Sequence, residues 1–393
     1  MLSGKILKLN GWSEGKLIGL AKRAAQQLED AGLEQQRILD RLDAVRANPD
    51  AYSADPVMAD LARECVRRAA ADSAHMDDTL RARSLGYGIW GADQIDPAAV
   101  AQMENALRLP IAVAGALMPD AHVGYGLPIG GVLAAHDAVI PYAVGVDIAC
   151  RMRLSLYPVA PDALRERAGE LQRALLSETR FGMGAAFERN RQPEHTMLDD
   201  PTWKALPLLK SLQSKAREQL GSSGTGNHFV EWGAFRLYAD DPALDLKAGE
   251  YLALLSHSGS RGVGFKIANT YTEIARRMHP TLDKSVQHLA WLPLASEAGQ
   301  EYWTAMEMAG RFASANHFVI HHRVAKAAGL EEMAVVENHH NYAWVETLPD
   351  GAQAVVHRKG ATPAGPGVLG VIPGSMGDAG YVVRGRGDVA SLQ

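Results

Sequence analysis

Between positions 13 and 48 apolar residues return at helical intervals. Leu17, Leu20, Ala24 and Leu28 are followed by Ile38, Leu39, Leu42 and Val45, with Lys, Arg, Glu and Asp filling the positions between them. Such a stripe buries one side of a helix and wets the other. Asp55-Pro56 then supplies an N-cap and a first-turn proline, and Val57, Met58, Leu61, Ala62 and Cys65 carry a further helical face to about position 71. Residues 1–86 are therefore expected to form a helical N-terminal region. Past Tyr87 the pattern changes: short apolar runs at 111–118, 130–134 and 251–255 alternate with glycine-rich turns, as strands do. Helical spacing returns at 162–177, 265–278 and 299–328. Without regular strand–helix alternation, the expectation for residues 87–393 is an α+β fold, a mixed sheet core with surrounding helices, rather than a doubly wound sheet.

Composition narrows the function classes. With 393 residues and 47% hydrophobic content the chain has ample material for a core. No run approaches the roughly eighteen apolar residues of a membrane helix, and MLSGKILKLNGW lacks the long apolar stretch of a signal peptide. No membrane partner and a cytoplasmic location are expected. A net charge of -5 argues against a surface coated in basic residues, so nucleic acid would have to be gripped in a local cleft of Arg and Lys. Cys65 and Cys150 lie far apart and do not suggest a disulfide, which leaves Cys150 free to serve as a thiolate.

The candidate chemistry lies in glycine-punctuated segments. Asp147 and Cys150 stand in GVDIAC, His228 in GTGNHFVE, His257 in SHSGSRG and His340 in ENHHNY. Ligands spread this widely cannot form a zinc-finger knuckle and must be gathered by a folded core, which points to a dinuclear catalytic centre. Taken alone, the Asp147–Cys150 pair also reads as a buried cysteine beside an N-cap aspartate. In MPDAHVGYGLPIGG, Asp120 stands two residues before His122 and could orient its imidazole. Arg261, at the start of a helix, suits a phosphate. Arg358, Lys359 and Ser375, among further glycines, suggest another phosphate pocket. Adjacent His339 and His340 would point to opposite faces of a strand, so at most one enters a given site. His317, His321 and His322 follow a helical pattern and read as surface or structural histidines.

In order along the chain, MPDAHVGYGLPIGG, AVGVDIAC, GTGNHFVE, HSGSRG, HHNY, HRKGAT and IPGSMG resemble the motifs of the RtcB family of GTP-dependent RNA ligases over about residues 87–388. The resemblance implies an RtcB-like core that uses GTP and two Mn(II) ions. It would join an RNA end bearing a 3′-phosphate or 2′,3′-cyclic phosphate to a 5′-hydroxyl end, in RNA repair or tRNA splicing. It implies Asp147, Cys150 and His228 on one ion and Cys150, His257 and His340 on the other. Ligand chemistry alone would have suggested zinc. Asn227, His228, Phe229, Glu231, His340, Asn341, Pro373, Gly374, Ser375 and Met376 would line the guanine nucleotide pocket, Arg261 would meet RNA phosphate, and an archease-like activator is a possible partner.

The chain departs from the family pattern near its end. The family's guanylylated histidine belongs to a motif expected beyond Gln393, as does a lysine that helps bind the base, and Gly380 stands where a serine is usual. A truncated sequence is the favoured explanation. Two other classes stay open at this point: a dinuclear-metal phosphoesterase acting on cyclic phosphates, and a non-catalytic binder of GTP or RNA ends.

Overall fold

The computed structural model describes residues 4–10, 12, 16–73, 76–374 and 378–392. After a short helix at Gly4–Leu9 come α1 (Lys16–Asp30), α2 (Gln35–Ala47) and α3 (Ala59–Ser73). The first amphipathic stripe is thus two helices, broken where Gly32 takes a φ of +86°. Their apolar faces, including Leu20, Leu28, Ile38, Leu42, Met58 and Leu61, close a core of their own. Glu64 is buried beside it and is held by Lys16, Arg67 and Arg68. α3 starts three residues after Pro56, because Asp55 Oδ1 accepts from the amides of Val57 and Met58 and satisfies a non-helical first turn.

The remainder is built on two sheets. Helices α4 (Pro97–Ala106), α5 (Ala168–Glu178), α6 (Pro207–Gln219), α7 (Arg261–Met278) and α8 (Glu297–Ala327) surround them. The helical pattern expected over 162–177 is divided by a break at Arg167, with a short helix at Ala163–Glu166 before α5. The strands are β1 (Ala112–His122), β2 (Ile129–Ala135), β3 (Arg151–Tyr157), β4 (Phe229–Leu237), β5 (Gly249–Ser258), β6 (Ala334–His339), β7 (Asn341–Thr347) and β8 (Gln353–Lys359). A hairpin of β9 (Leu369–Ile372) and β10 (Tyr381–Arg384) follows. One sheet runs β1–β2–β8–β7, edged by the two-residue strand Gly88–Ile89, and the other runs β6–β3–β5–β4. The fold is α+β, with mostly antiparallel pairing. Among the described residues no helix is long and apolar enough to cross a membrane.

Strand alternation in the second sheet separates two environments. Met152, Leu154 and Leu156 of β3 face an apolar cluster that includes Val371 of β9. Arg151, Arg153 and Ser155 face α8, where they build a polar layer. Glu337 accepts from both Arg151 and Arg153, the latter at 2.6 Å, and Ser314 adds a bond at 3.0 Å. Ser155 donates to Glu332 and accepts from His321 Nδ1 at 2.6 Å. Ser256 donates to His321 Nε2 and accepts from His317 Nδ1, each at 2.7 Å. This direction of donation follows if Glu332 is ionised, since each serine has one proton to give. His317 and His321 are therefore buried members of a network rather than surface residues.

Candidate metal centre

The chain crosses from one sheet to the other at His340, the residue between β6 and β7. Its amide donates to Cys150 O at 3.0 Å, and Ala149 N donates to Asn341 O at 2.7 Å, which ties the crossover to the turn preceding β3. That turn is tight: Ala149 has a φ of +58°, and Cys150 N donates to Asp147 O at 3.1 Å. The turn brings Asp147 and Cys150 together as their three-residue spacing requires. Across β3, Met152 pairs with His257 of β5, and His257 in turn pairs with Phe229 of β4. Register therefore places Cys150, His228, His257 and His340 in a row at one end of the β6–β3–β5–β4 sheet.

Their side chains converge. Cys150 Sγ lies 3.1 Å from His257 Nε2 and 3.4 Å from His228 Nε2, and His257 Nε2 lies 3.1 Å from His340 Nε2. Asp147 Oδ2 is 2.9 Å from His228 Nε2. The potential ligand atoms fall into two groups, Asp147–Cys150–His228 and Cys150–His257–His340, each within 4.8 Å and sharing the sulfur. The second nitrogen of two rings is fixed by backbone: His228 Nδ1 bonds Ser223 O at 3.1 Å, and His257 Nδ1 bonds Asn227 O at 2.9 Å. This tautomer directs the Nε2 lone pairs of both rings toward the sulfur, as outer carbonyls do around a metal.

The electrostatics suit a cation. Asp147 Oδ2 is buried and, despite its closeness to His228, makes no hydrogen bond, which is costly unless something positive approaches it. Burial opposes ionisation of Asp147, yet His228 and Arg261 hold its carboxyl below the ordinary range. Burial, reinforced by Asp147, pushes the Cys150 thiol well up. Burial likewise pushes His257 down, and burial together with His257 pushes His340 further down, which leaves both rings neutral. Neutral imidazoles are the ligating form, and a bound cation would discharge the thiol proton. Two glycines make room. A Cβ at Gly259 would collide with the Asp147 carboxylate, and one at Gly224, where φ is +111°, would strike the Arg261 guanidinium.

A cavity of about 460 Å³ opens over this centre. Asn227, His228, Arg261, His340 and Asn341 line it. Asn341 braces two segments, donating to Asp147 O at 3.3 Å and accepting from Gly360 N at 2.9 Å. Arg261 reaches Ser222 Oγ at 3.3 Å. Phe229 packs on the His257 ring at 5.9 Å, and Glu231, two residues along the same face of β4, has its carboxyl pushed up by burial. Pro373 and Gly374 follow β9 on the exposed side, while Ser375 and Met376 lie outside the described residues. His339 turns away from His340 and packs among Tyr342 and Trp344.

Other expectations fail. His122 meets only the backbone oxygen of Asp120, not its carboxylate, and the pair is exposed. Arg358 is no phosphate ligand: it is buried over Trp344, pairs with Glu346 at 2.6 Å and donates to Leu392 O. Lys359 donates to the carbonyls of Tyr125 and Tyr142 at 2.6 and 3.3 Å, and burial pushes it down to about 8. Sequence reasoning missed Thr225 and Phe265 in the cavity wall. Phe265 was findable, since it begins the helical stretch that directly follows the SHSGSRG segment.

A sequence model of the family described as tRNA-splicing ligase RtcB matches residues 102–393. The tRNA-splicing ligase RtcB of Thermococcus kodakarensis is 34% identical over 351 residues, spanning 72% of this chain and 71% of the relative. The RNA-splicing ligase RtcB of Escherichia coli K12 is 30% identical over 319 residues, 74% of each chain. That of Mycobacterium bovis is 31% identical over 347 residues, 72% of this chain and 79% of the relative.

Proposed function

The chain belongs to the RtcB family, and on that premise we propose that it is an RNA ligase acting at a dinuclear Mn(II) centre. The substrates are an RNA end with a 3′-phosphate or 2′,3′-cyclic phosphate, a 5′-hydroxyl end, and GTP as the guanylyl donor. Residues 1–86 are a helical extension beside a catalytic core of residues 87–393.

The observation that carries this reading is the shared sulfur, with Cys150 belonging to both ligand groups. Asp147, Cys150 and His228 would hold one ion, and Cys150, His257 and His340 the other. When bound, the ions would neutralise phosphate oxygens and keep attacking and leaving oxygens in line. The chain's own residues do the rest. Arg261 presents its guanidinium to a phosphate from the cavity wall, and Asn341 fixes the turn that aims Asp147. The carbonyls of Ser223 and Asn227 hold His228 and His257 in the tautomer that offers Nε2. Asn227 of the cavity wall, with Phe229, Glu231, Pro373 and Gly374 beyond its lining, would hold the guanine nucleotide, Glu231 accepting from a base edge.

The test is incubation of the full-length protein with Mn(II), labelled GTP and RNA bearing 3′-phosphate and 5′-hydroxyl ends. Joined RNA and a GMP adduct on the protein are expected. Absence of both defeats the reading, and opening of a cyclic phosphate without joining would instead mark a phosphoesterase.

A further inference from the structure

We propose that Phe265 is a stacking platform for a nucleobase of the RNA strand whose phosphate is held at the metal centre; this rests on the ligase reading above. Its side chain is 55% exposed and belongs to none of the apolar clusters among the described residues. A single exposed phenylalanine on a surface means little. This one lines the cavity shared by Asp147, Cys150, His228 and His340, where it is the only aromatic side chain other than the histidines among the described lining residues.

Position within α7 gives it a partner. Arg261 enters α7 with a φ of +53°, Phe265 follows one turn later, and both line the same cavity. Arg261 forms no ion pair with a carboxylate among the described residues, and its nearest polar contacts are Ser222 Oγ and His228 Nδ1, each at 3.3 Å. A phosphate taken by that guanidinium would lie in the cavity that the Phe265 ring also lines, with the base of the same nucleotide free to stack on the ring.

Charge adds a reason. At a net -5 the protein lacks a broad basic surface, so strand affinity has to come from local contacts, and aromatic stacking contributes about 1–3 kcal/mol per base without regard to sequence. The guanine of GTP is assigned above to the side where Phe229 packs on His257, beyond the lining that holds Phe265. Phe265 thus serves the RNA, and the ligase gains a grip on the terminal nucleotide that is indifferent to its identity.

The experiment uses the Mn(II)-loaded full-length protein and a short 3′-phosphorylated oligoribonucleotide carrying 2-aminopurine at its last position, with an abasic counterpart. Binding to the wild type should quench the 2-aminopurine. Phe265→Ala and Phe265→Leu should lose the quench and bind about 5- to 150-fold more weakly. Phe265→Trp should retain both, and the abasic strand should bind wild type and Phe265→Ala alike. GTP affinity and manganese content should not change. Undiminished binding of the base-bearing strand by Phe265→Ala, or a loss of GTP affinity in place of RNA affinity, overturns the platform and leaves the ligase reading standing. Failure of the wild type to bind or join RNA overturns the ligase reading, and the platform with it.

Discussion

The α8 side of the β6–β3–β5–β4 sheet and the metal-centre end of its other, otherwise apolar face use the same kinds of residue and behave as opposites. Toward α8, His317 and His321 are threaded through Ser256 and Ser155 to Glu332, and Arg151 and Arg153 clasp Glu337. Around its end, Cys150, His228, His257 and His340 crowd within about hydrogen-bonding distance of one another while Asp147 Oδ2 has no hydrogen-bond donor. The first arrangement spends its lone pairs on serine hydroxyls. In the second, lone pairs converge on shared space, an arrangement that suits a cation. Histidine content does not distinguish a structural layer from a ligand set; what the second nitrogen and its neighbours do decides it.

That contrast can be broken at either face. Cys150→Ala removes the ligand common to both groups. Since loss of a mere outer-shell partner costs about 10–100-fold, joining activity should fall by more than about a hundredfold, with manganese lost from both positions and the melting temperature no longer raised by added manganese. Metal analysis alongside a melting curve checks this, and retained manganese would erase the distinction between the faces.

Acid should act on the polar layer. Burial, with Arg151 adding to it, pushes His317 down to about 3 from 6.5. Between pH 6.5 and 3 the unfolded chain binds a proton there that the folded chain refuses, so stability is lost as pH falls through that window. The loss is about 1.4 kcal/mol per unit, about 5 kcal/mol in all for this ring. Urea unfolding at stepwise pH tests it; a flat profile would mean that the layer takes up protons without strain.

A smaller effect is expected from Ser155→Ala, which removes the link between His321 and Glu332. It should cost about 1–3 kcal/mol of stability, the penalty of leaving buried polar partners unpaired, while manganese content stays at the wild-type value. Loss of metal in this variant would show the two faces to be coupled.

Much of this was legible in the sequence for a physical reason. Helical stripes and short apolar runs are local, so α1, α2, β1, β2 and α8 could be anticipated, and ordered glycine motifs marked the turns that carry Asp147, His228 and His257. Pairing was less visible. Arg358 resembled a phosphate ligand because its partner Glu346 lies across a hairpin, and nothing local records that Trp344 sits beneath it. The start of α3 shifted because Asp55 satisfied a turn instead of a helix. The relay through Ser155 and Ser256 depends on strand register against a helix more than sixty residues away, which no spacing rule reports.

The central claim is one sulfur shared by two cations. Crystals of the manganese-loaded protein, measured at the manganese absorption edge, test it most directly. Two anomalous peaks are predicted, both within bonding distance of Cys150 Sγ, one also touching Asp147 and His228 and the other His257 and His340. A single peak, or two peaks of which neither meets Cys150, would contradict the account.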